Sequence, residues 1–437
     1  MLLEPDHLCS DTGNNLTPMT SSVNKVVIVG AGQAGLHAAA LLRSGGYQGE
    51  ILLIGAEPAS PYQRPPLSKA FLKGEINFES LRLKSQTFLA DQKIDFRPGI
   101  TVERIDRDRK TVWLGDGSRE GYDILIIATG SRPRPIAGIE DGVGGLHYLR
   151  TLEDSQRLRD ALRPPARIAL IGGGYLGLEV AAAAVEMGAD AVVFEREKRL
   201  LSRVASAPVS DFLRAYHHGR GVAIVTEAQI GGLEVADGRV AAIRLEDGRR
   251  FPCTAVLVCV GGIPNDELAR HAGLRCDGGI IVDAGGRTND PSIFAIGDVS
   301  RRPLPFNDNR THRLESVANA MGQARSAVAA ILDQAKPEDE VPWFWSDQFE
   351  MKFKSAGLAI DADRQILRGA SGHRGFSVLH LKDERLICIE TINNTGDFMA
   401  GKKLIASRLR LDADEICDPA IPLKNLLPVA HVRTSRP

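Results

Sequence analysis

Cysteine is scarce and scattered in this chain. Its six copies, Cys9, Cys253, Cys259, Cys276, Cys388 and Cys417, form no CxxC pair and no metal-ligand spacing, which argues against a local dithiol and a zinc or iron–sulfur site. They read as reduced, mostly buried thiols in a cytosolic compartment. Charge of one sign is also lacking: a formal net charge of −1 provides no chain-wide attraction for nucleic acid. No run approaches the ~18 consecutive apolar residues of a membrane-crossing helix, so a soluble protein is expected. Residues 1–22 lack the basic-then-apolar order of a signal peptide and read as a disordered leader. The rest is ordinary globular composition, 43% hydrophobic and 25% charged, and 437 residues argue for two or three domains.

The body opens with KVVIVGAGQAGLHAAALLRSGGYQGEILLIGAE. A buried parallel strand over 26–29, a helix over 33–43, a stop at Gly45 and Gly46 and a second strand over 51–54 form a βαβ unit. Gly30, Gly32 and Gly35 make a GxGxxG at the strand-to-helix turn, where a tight turn, close backbone approach and the positive helix end suit a pyrophosphate. Glu57, beyond the second strand, is placed to take a ribose hydroxyl. The unit then recurs as RIALIGGGYLGLEVAAAAVEMGADAVVFERE, with a strand over 168–171, Gly172, Gly174 and Gly177, a helix to 187 and a strand over 191–194 ending at Glu195. Two such units imply two dinucleotides. Glu195 favours a free 2′-hydroxyl and hence NADH over NADPH, with Arg196 and Arg203 nearby as the counterweight.

Other strands deliver polar ends to the same crevice. YDILIIATGSRPR runs into Ala128, Thr129 and Gly130, AVLVCVGGIPN into Gly261, and GGIIVDAGGRTNDPSIFAIGDVS gives strands over 280–283 and 294–296 ending at Gly297 and Asp298. An aspartate at a strand's carboxyl end sits where open α/β sheets bind ligands, although a turn or helix cap would use one equally well. Between the βαβ unit and these strands lies PYQRPPLSK, residues 61–69. Its three prolines fix one shape, so Arg64 and Lys69 can be presented to an anion with little entropy left to lose.

In this order, with RLESVANA (313–320) and PWFWSDQ (342–348), these motifs resemble the flavin-dependent NADH:ferredoxin reductases of bacterial oxygenase systems. Rubredoxin reductases, monodehydroascorbate reductases and apoptosis-inducing factor are wider relatives, all of the glutathione reductase fold. The resemblance implies an α/β fold: two Rossmann-like dinucleotide-binding domains plus a C-terminal α+β domain. The FAD-binding domain is expected to be discontinuous, at 23–143 and 271–337, with the NAD-binding domain at 144–270 and the C-terminal domain at 338–437. There, FSVLHL and RLICIETI flank Lys382, Asp383 and Glu384 as a hairpin, and 398–409 has helical spacing.

The same resemblance implies roles. Arg64, Lys69 and Arg134 belong at the FAD, Lys69 near the flavin, and Asp298 at the ribityl chain; Glu315, in RLESVANA, joins the cofactor set. Positive charge beside the flavin raises its reduction potential by stabilising the reduced anion. Glu179 has two readings: a carboxylate stabilised in the first turn of a helix, or the partner of Lys69 in an ion pair beside the flavin. Trp345 likewise has two, packing between domains or contact with the flavin region.

The reaction expected is transfer of hydride from NADH to FAD. Disulfide reductases of this fold carry redox cysteines in the segment that corresponds to 57–80, and that segment here has none. Electrons must therefore leave the flavin directly, and single-electron steps to a small [2Fe-2S] ferredoxin feeding a Rieske-type or haem-dependent oxygenase fit that need; rubredoxin, monodehydroascorbate or a redox-sensing role are the alternatives. SRRPLPFNDNRTHR (300–313) sets Arg301, Arg302, Arg310 and Arg313 against one acid, Asp308. It reads either as a docking surface for an acidic ferredoxin or as a solvated loop.

Overall fold

The computed structural model describes residues 23–136, 138, 142–369 and 375–427; the expected leader 1–22 and Cys9 lie outside them. The opening unit folds as strand β1 (Lys25–Val29), helix α1 (Gln33–Ser44) and strand β2 (Glu50–Gly55), followed by β3 (Ile94–Pro98) and β4 (Ile124–Ile127). β1 pairs in parallel with both β2 and β4, β3 extends the sheet beyond β2, and Ile293–Ala295 adds to β4 from far along the chain. Val26, Val27, Ile28 and the whole of β4 are buried, as the unbroken apolar runs demand of strands covered on both faces.

The second unit repeats this with β5 (Arg167–Ile171), α2 (Tyr175–Glu186) and β6 (Asp190–Phe194), then helix α3 (Ala207–His218) and strand β7 (Ala255–Val258). Here β5 lies between β6 and β7, and Ala223–Val225 and Leu146–His147 close the two edges. The two halves are joined by an antiparallel ribbon in which Ser131–Pro133, leaving β4, pairs with Gly262–Pro264, leaving β7. The carboxyl ends of both central sheets thus face the same junction.

The C-terminal part is a five-stranded antiparallel sheet led by β8 (Trp343–Gln348). Its hairpin of Phe376–Lys382 with Arg385–Ile392 turns at Asp383 and Glu384, both at positive φ (50° and 62°), the geometry of a two-residue type I′ turn. The following helix begins earlier than its apolar spacing suggests, at Thr395, because the Asn394 side chain caps it by accepting from the backbone N–H of Asp397 at 3.1 Å.

Two local expectations are corrected. The strand expected over 280–283 stops at Ile281: the Asp283 carboxylate accepts the N–H groups of Gly285 and Arg287 (2.9 and 2.8 Å) and bends the chain into a turn. And Glu179 is not in the first turn of its helix. α2 starts at Tyr175 and has no acid in that turn, so Glu179 lies past the positive end and needs another explanation.

Candidate active site

Both glycine turns divide their labour in the same way. Gly30 sits at φ +112° with its α-carbon against Ala128 O, and Gly35 lies against Gly30 O, so a Cβ on either would collide with backbone. Gly172 (φ +116°) and Gly177 repeat those contacts against Cys259 O and Gly172 O. The middle glycines differ: a Cβ on Gly32 or Gly174 would meet nothing within 4 Å. Each of these is the N-cap of its helix, with no side-chain cap and no acid in the first turn. The outer glycines close the fold, and the middle ones leave bare N–H groups at a positive helix end, a cradle that fits the pyrophosphate of a dinucleotide.

Beyond β2, Glu57 is held by PYQRPPLSK. Its Oε1 accepts from Arg64 Nη2 at 2.6 Å and its Oε2 from the Tyr62 hydroxyl at 2.5 Å, while Arg64 Nη1 donates to Arg150 O at 2.6 Å. Arg150 then donates through Nη2 to Asp298 Oδ2 at 3.1 Å and lies against Gly130. Asp298 is largely buried, and burial raises its pKa above the usual carboxylate range, opposed by Arg150. Glu57, Arg64 and Asp298, separated by up to 241 positions, are thereby brought into one polar network. Arg150 was not expected: nothing in YLRTLED marks it beyond its place just before the Thr151 helix cap.

At the other end of the rigid segment, Lys69 Nζ lies 2.6 Å from Glu179 Oε2, the same oxygen that accepts from Ser68 Oγ at 2.5 Å. Glu179 Oε1 accepts from Ser346 Oγ at 2.6 Å. The carboxylate is 7% exposed, and both its oxygens face donors, three in all, from two distant parts of the chain. Strand alternation explains how β8 contributes: Phe344 and Ser346 point to α2, where Phe344 meets Tyr175 (ring centroids 4.7 Å apart) and Ser346 meets Glu179 one helical turn on. Trp343 and Trp345 take the opposite face, half-buried and 5.5 Å apart. Trp345 is therefore on the far side of β8 from Glu179.

The remaining expected residues are distributed as follows. Thr129 Oγ1 donates to Asn265 O and Asn265 Nδ2 to Thr129 O (2.8 and 2.9 Å), which locks the ATG turn to the GGIPN loop. Gly297 N–H donates to Gln323 Oε1 at 2.7 Å, setting the turn that carries Asp298. Glu315 pairs with Arg313 and lies against Gly262. Arg134 is exposed; its contacts are with Gly261 O and Gly262 O on the ribbon, and it is Arg150 that faces Asp298. Glu195 accepts the N–H groups of Gly173 (Oε2, 2.8 Å) and Glu197 (Oε1, 2.9 Å), which fixes the carboxylate beside the second cradle, while Arg196 is exposed and paired with Glu197.

The basic loop is less basic than its own sequence suggests. Arg301 pairs with Asp277 and Arg310 with Asp361, both at 2.6 Å, and Arg313 pairs with Glu315; Arg302 is half-buried with Asn319. The acids come from other segments and so are invisible to a count within 300–313. Among the described residues Cys253, Cys259, Cys276, Cys388 and Cys417 are all free, and burial pushes Cys259 up to about 12 and Cys253 to about 11, which disfavours the reactive thiolate at those two.

Residues 24–324 match the family model for pyridine nucleotide-disulphide oxidoreductases, and residues 343–427 match the model for the reductase C-terminal domain. The chain belongs to this oxidoreductase family. It is 47% identical over 397 residues to a probable ferredoxin reductase of Castellaniella defragrans, covering 91% of this chain and 97% of the relative. It is 41% identical to putidaredoxin reductase of Pseudomonas putida, covering 94% and 99%. In three dimensions it is similar to the reductase in the covalent putidaredoxin reductase–putidaredoxin complex, with a TM-score of 0.90 and 40% identity over 92% of this chain and 98% of that one. The family's name refers to a disulphide, yet no cysteine stands anywhere in 57–80.

Proposed function

We propose that the chain is an FAD-dependent NADH:ferredoxin reductase that supplies single electrons to a small [2Fe-2S] protein serving an oxygenase. The single observation that carries this reading is the pair of matched glycine cradles joined by a thiol-free cation–carboxylate centre. Bound FAD would supply the chemistry, taking a hydride from the nicotinamide and releasing electrons one at a time. In this reading the first cradle, with Gly30, Gly32 and Gly35, holds the FAD pyrophosphate, and the Glu57–Arg64–Arg150–Asp298 network orients the remainder. The second cradle, with Gly172, Gly174 and Gly177, holds NADH, and Glu195 favours a free ribose 2′-hydroxyl.

Lys69 holds a positive charge at the junction of the two cradles and Glu179 keeps it there. Neither residue needs to form a bond or move a proton, since hydride transfer asks only for alignment and charge. The proposed division assigns 23–143 and 271–337 to FAD, 144–270 to NADH and 338–437 to the C-terminal domain. Among the described residues no helix is long and apolar enough to cross a membrane, and a cytoplasmic site would keep the thiols reduced. Anaerobic titration of the purified yellow protein with NADH tests the assignment. Stoichiometric bleaching, followed by rapid recovery of colour when an oxidised [2Fe-2S] ferredoxin is mixed in, is expected. A protein that cannot be loaded with flavin refutes it.

A further inference from the structure

Glu179 is the end of a longer line of side chains. Ser346 Oγ, its donor, lies 3.0 Å from Gln348 Nε2, and Gln348 Oε1 lies 2.8 Å from His217 Nε2. Ser346, Gln348 and His217 are at most 1% exposed, and they come from two different parts of the chain, β8 and the last turn of α3.

The chemistry of the groups fixes the direction of every bond. A carboxylate only accepts, so Ser346 must spend its one proton on Glu179. Its oxygen can then only accept, which requires the NH2 group of Gln348 to face it and leaves the amide oxygen turned toward His217. Were the amide reversed, its oxygen would meet a hydroxyl with no proton left. The imidazole must therefore carry its proton on Nε2. Burial lowers the His217 pKa to about 4, so the ring is neutral at physiological pH, and its Nδ1 has no partner among the described residues. All three donors point the same way, toward the carboxylate, and their dipoles add in a water-poor interior.

We propose that Ser346, Gln348 and His217 are positioning residues: a directed chain of donors that holds the Glu179 carboxylate in one orientation, and through it fixes the Lys69 ammonium. The proposal rests on the reading that Lys69 acts at the flavin. Ser68 and Lys69 crowd onto Oε2, so among the described residues Oε1 depends on Ser346 alone. Without that donor the buried oxygen has no partner, and the carboxylate can turn or draw away from Lys69. The line also ties the pair to the contact between α3 and the start of the C-terminal sheet, where Arg220 stacks on Tyr216 and bonds Glu350 at 3.0 Å.

The test uses the FAD-loaded full chain with Ser346→Ala, Ser346→Thr, Gln348→Leu and Lys69→Met, plus Ser346→Ala in the Lys69→Met background. Flavin reduction potential is measured by dye equilibration, hydride transfer by anaerobic stopped flow, and KM for NADH in steady state. Ser346→Ala is expected to lower the potential and slow hydride transfer about tenfold, equivalent to ~1.4 kcal/mol, with KM little changed. Ser346→Thr, which keeps the hydroxyl, restores both, and Gln348→Leu falls between. In the Lys69→Met background Ser346→Ala adds nothing. A Ser346→Ala protein with unchanged potential and rate overturns the proposal if Lys69→Met alters them, and an undiminished effect in the Lys69→Met background overturns it equally. If Lys69→Met itself changes neither quantity, the underlying reading of Lys69 fails instead. Should Ser346→Ala not retain FAD, unchanged values in Gln348→Leu are decisive against the chain.

Discussion

Replacing Lys69 by methionine and Glu179 by glutamine, singly and together, measures what the pair contributes. Glu179 has 7% of its side chain exposed and Lys69 20%, so either single change leaves a charge short of water and without its counter-charge. One-sided removal of a buried pair costs about 3–5 kcal/mol, and the remaining exposure of Lys69 puts the expected loss near ~3 kcal/mol for each variant. The double variant has no stranded charge, and it should be less destabilised than the sum of the two by ~2 kcal/mol. Urea unfolding followed by circular dichroism at saturating FAD gives the three differences. Hydride transfer should be slowed in all three variants, since all lose the ammonium or its placement. Additivity within ~0.5 kcal/mol would refute the coupling.

The two kinds of glycine in the second cradle should separate cleanly. Gly177→Ala forces a methyl onto Gly172 O and Cys259 Sγ and should destabilise the protein by ~1–3 kcal/mol. Gly174→Ala meets no protein atom, so it should leave the melting temperature alone while raising KM for NADH; equal melting shifts would count against the cradle. His217 predicts a pH dependence. With its pKa lowered to about 4 by burial, the unfolded chain binds the extra proton first, so this contribution is complete above pH ~6.5 and is lost as pH falls toward 4. The full loss is ~3 kcal/mol. His217→Gln should abolish that portion of the acid sensitivity, and an unchanged stability profile between pH 4 and 7 would show that His217 is not held neutral.

The fold was legible because its signals are local. Apolar runs, two GxGxxG turns and a two-residue hairpin each declare themselves within a few residues, and β1, β5 and the Phe376–Ile392 hairpin form where those signals lie. The site was legible only in part, because its contacts join distant segments. Glu179 was visible as an isolated charge in an apolar helix, but its place one turn further in depends on where α2 starts, and that is set by the Gly174 cap. Arg150 carries no motif, and the acids that neutralise Arg301 and Arg310 lie 24 and 51 positions away. Ser346 and Gln348 did leave a trace: in WFWSDQ two uncharged polar residues share one strand face with Phe344, an arrangement that a buried acceptor explains.

The central claim is that electrons pass from NADH through the flavin to an external carrier without any thiol. Replacing all six cysteines by alanine and measuring NADH-driven reduction of a [2Fe-2S] ferredoxin by stopped flow tests it most directly. The account predicts rates within about twofold of the parent once FAD is bound. A variant that binds FAD and still bleaches with NADH, but no longer reduces the ferredoxin, would contradict it.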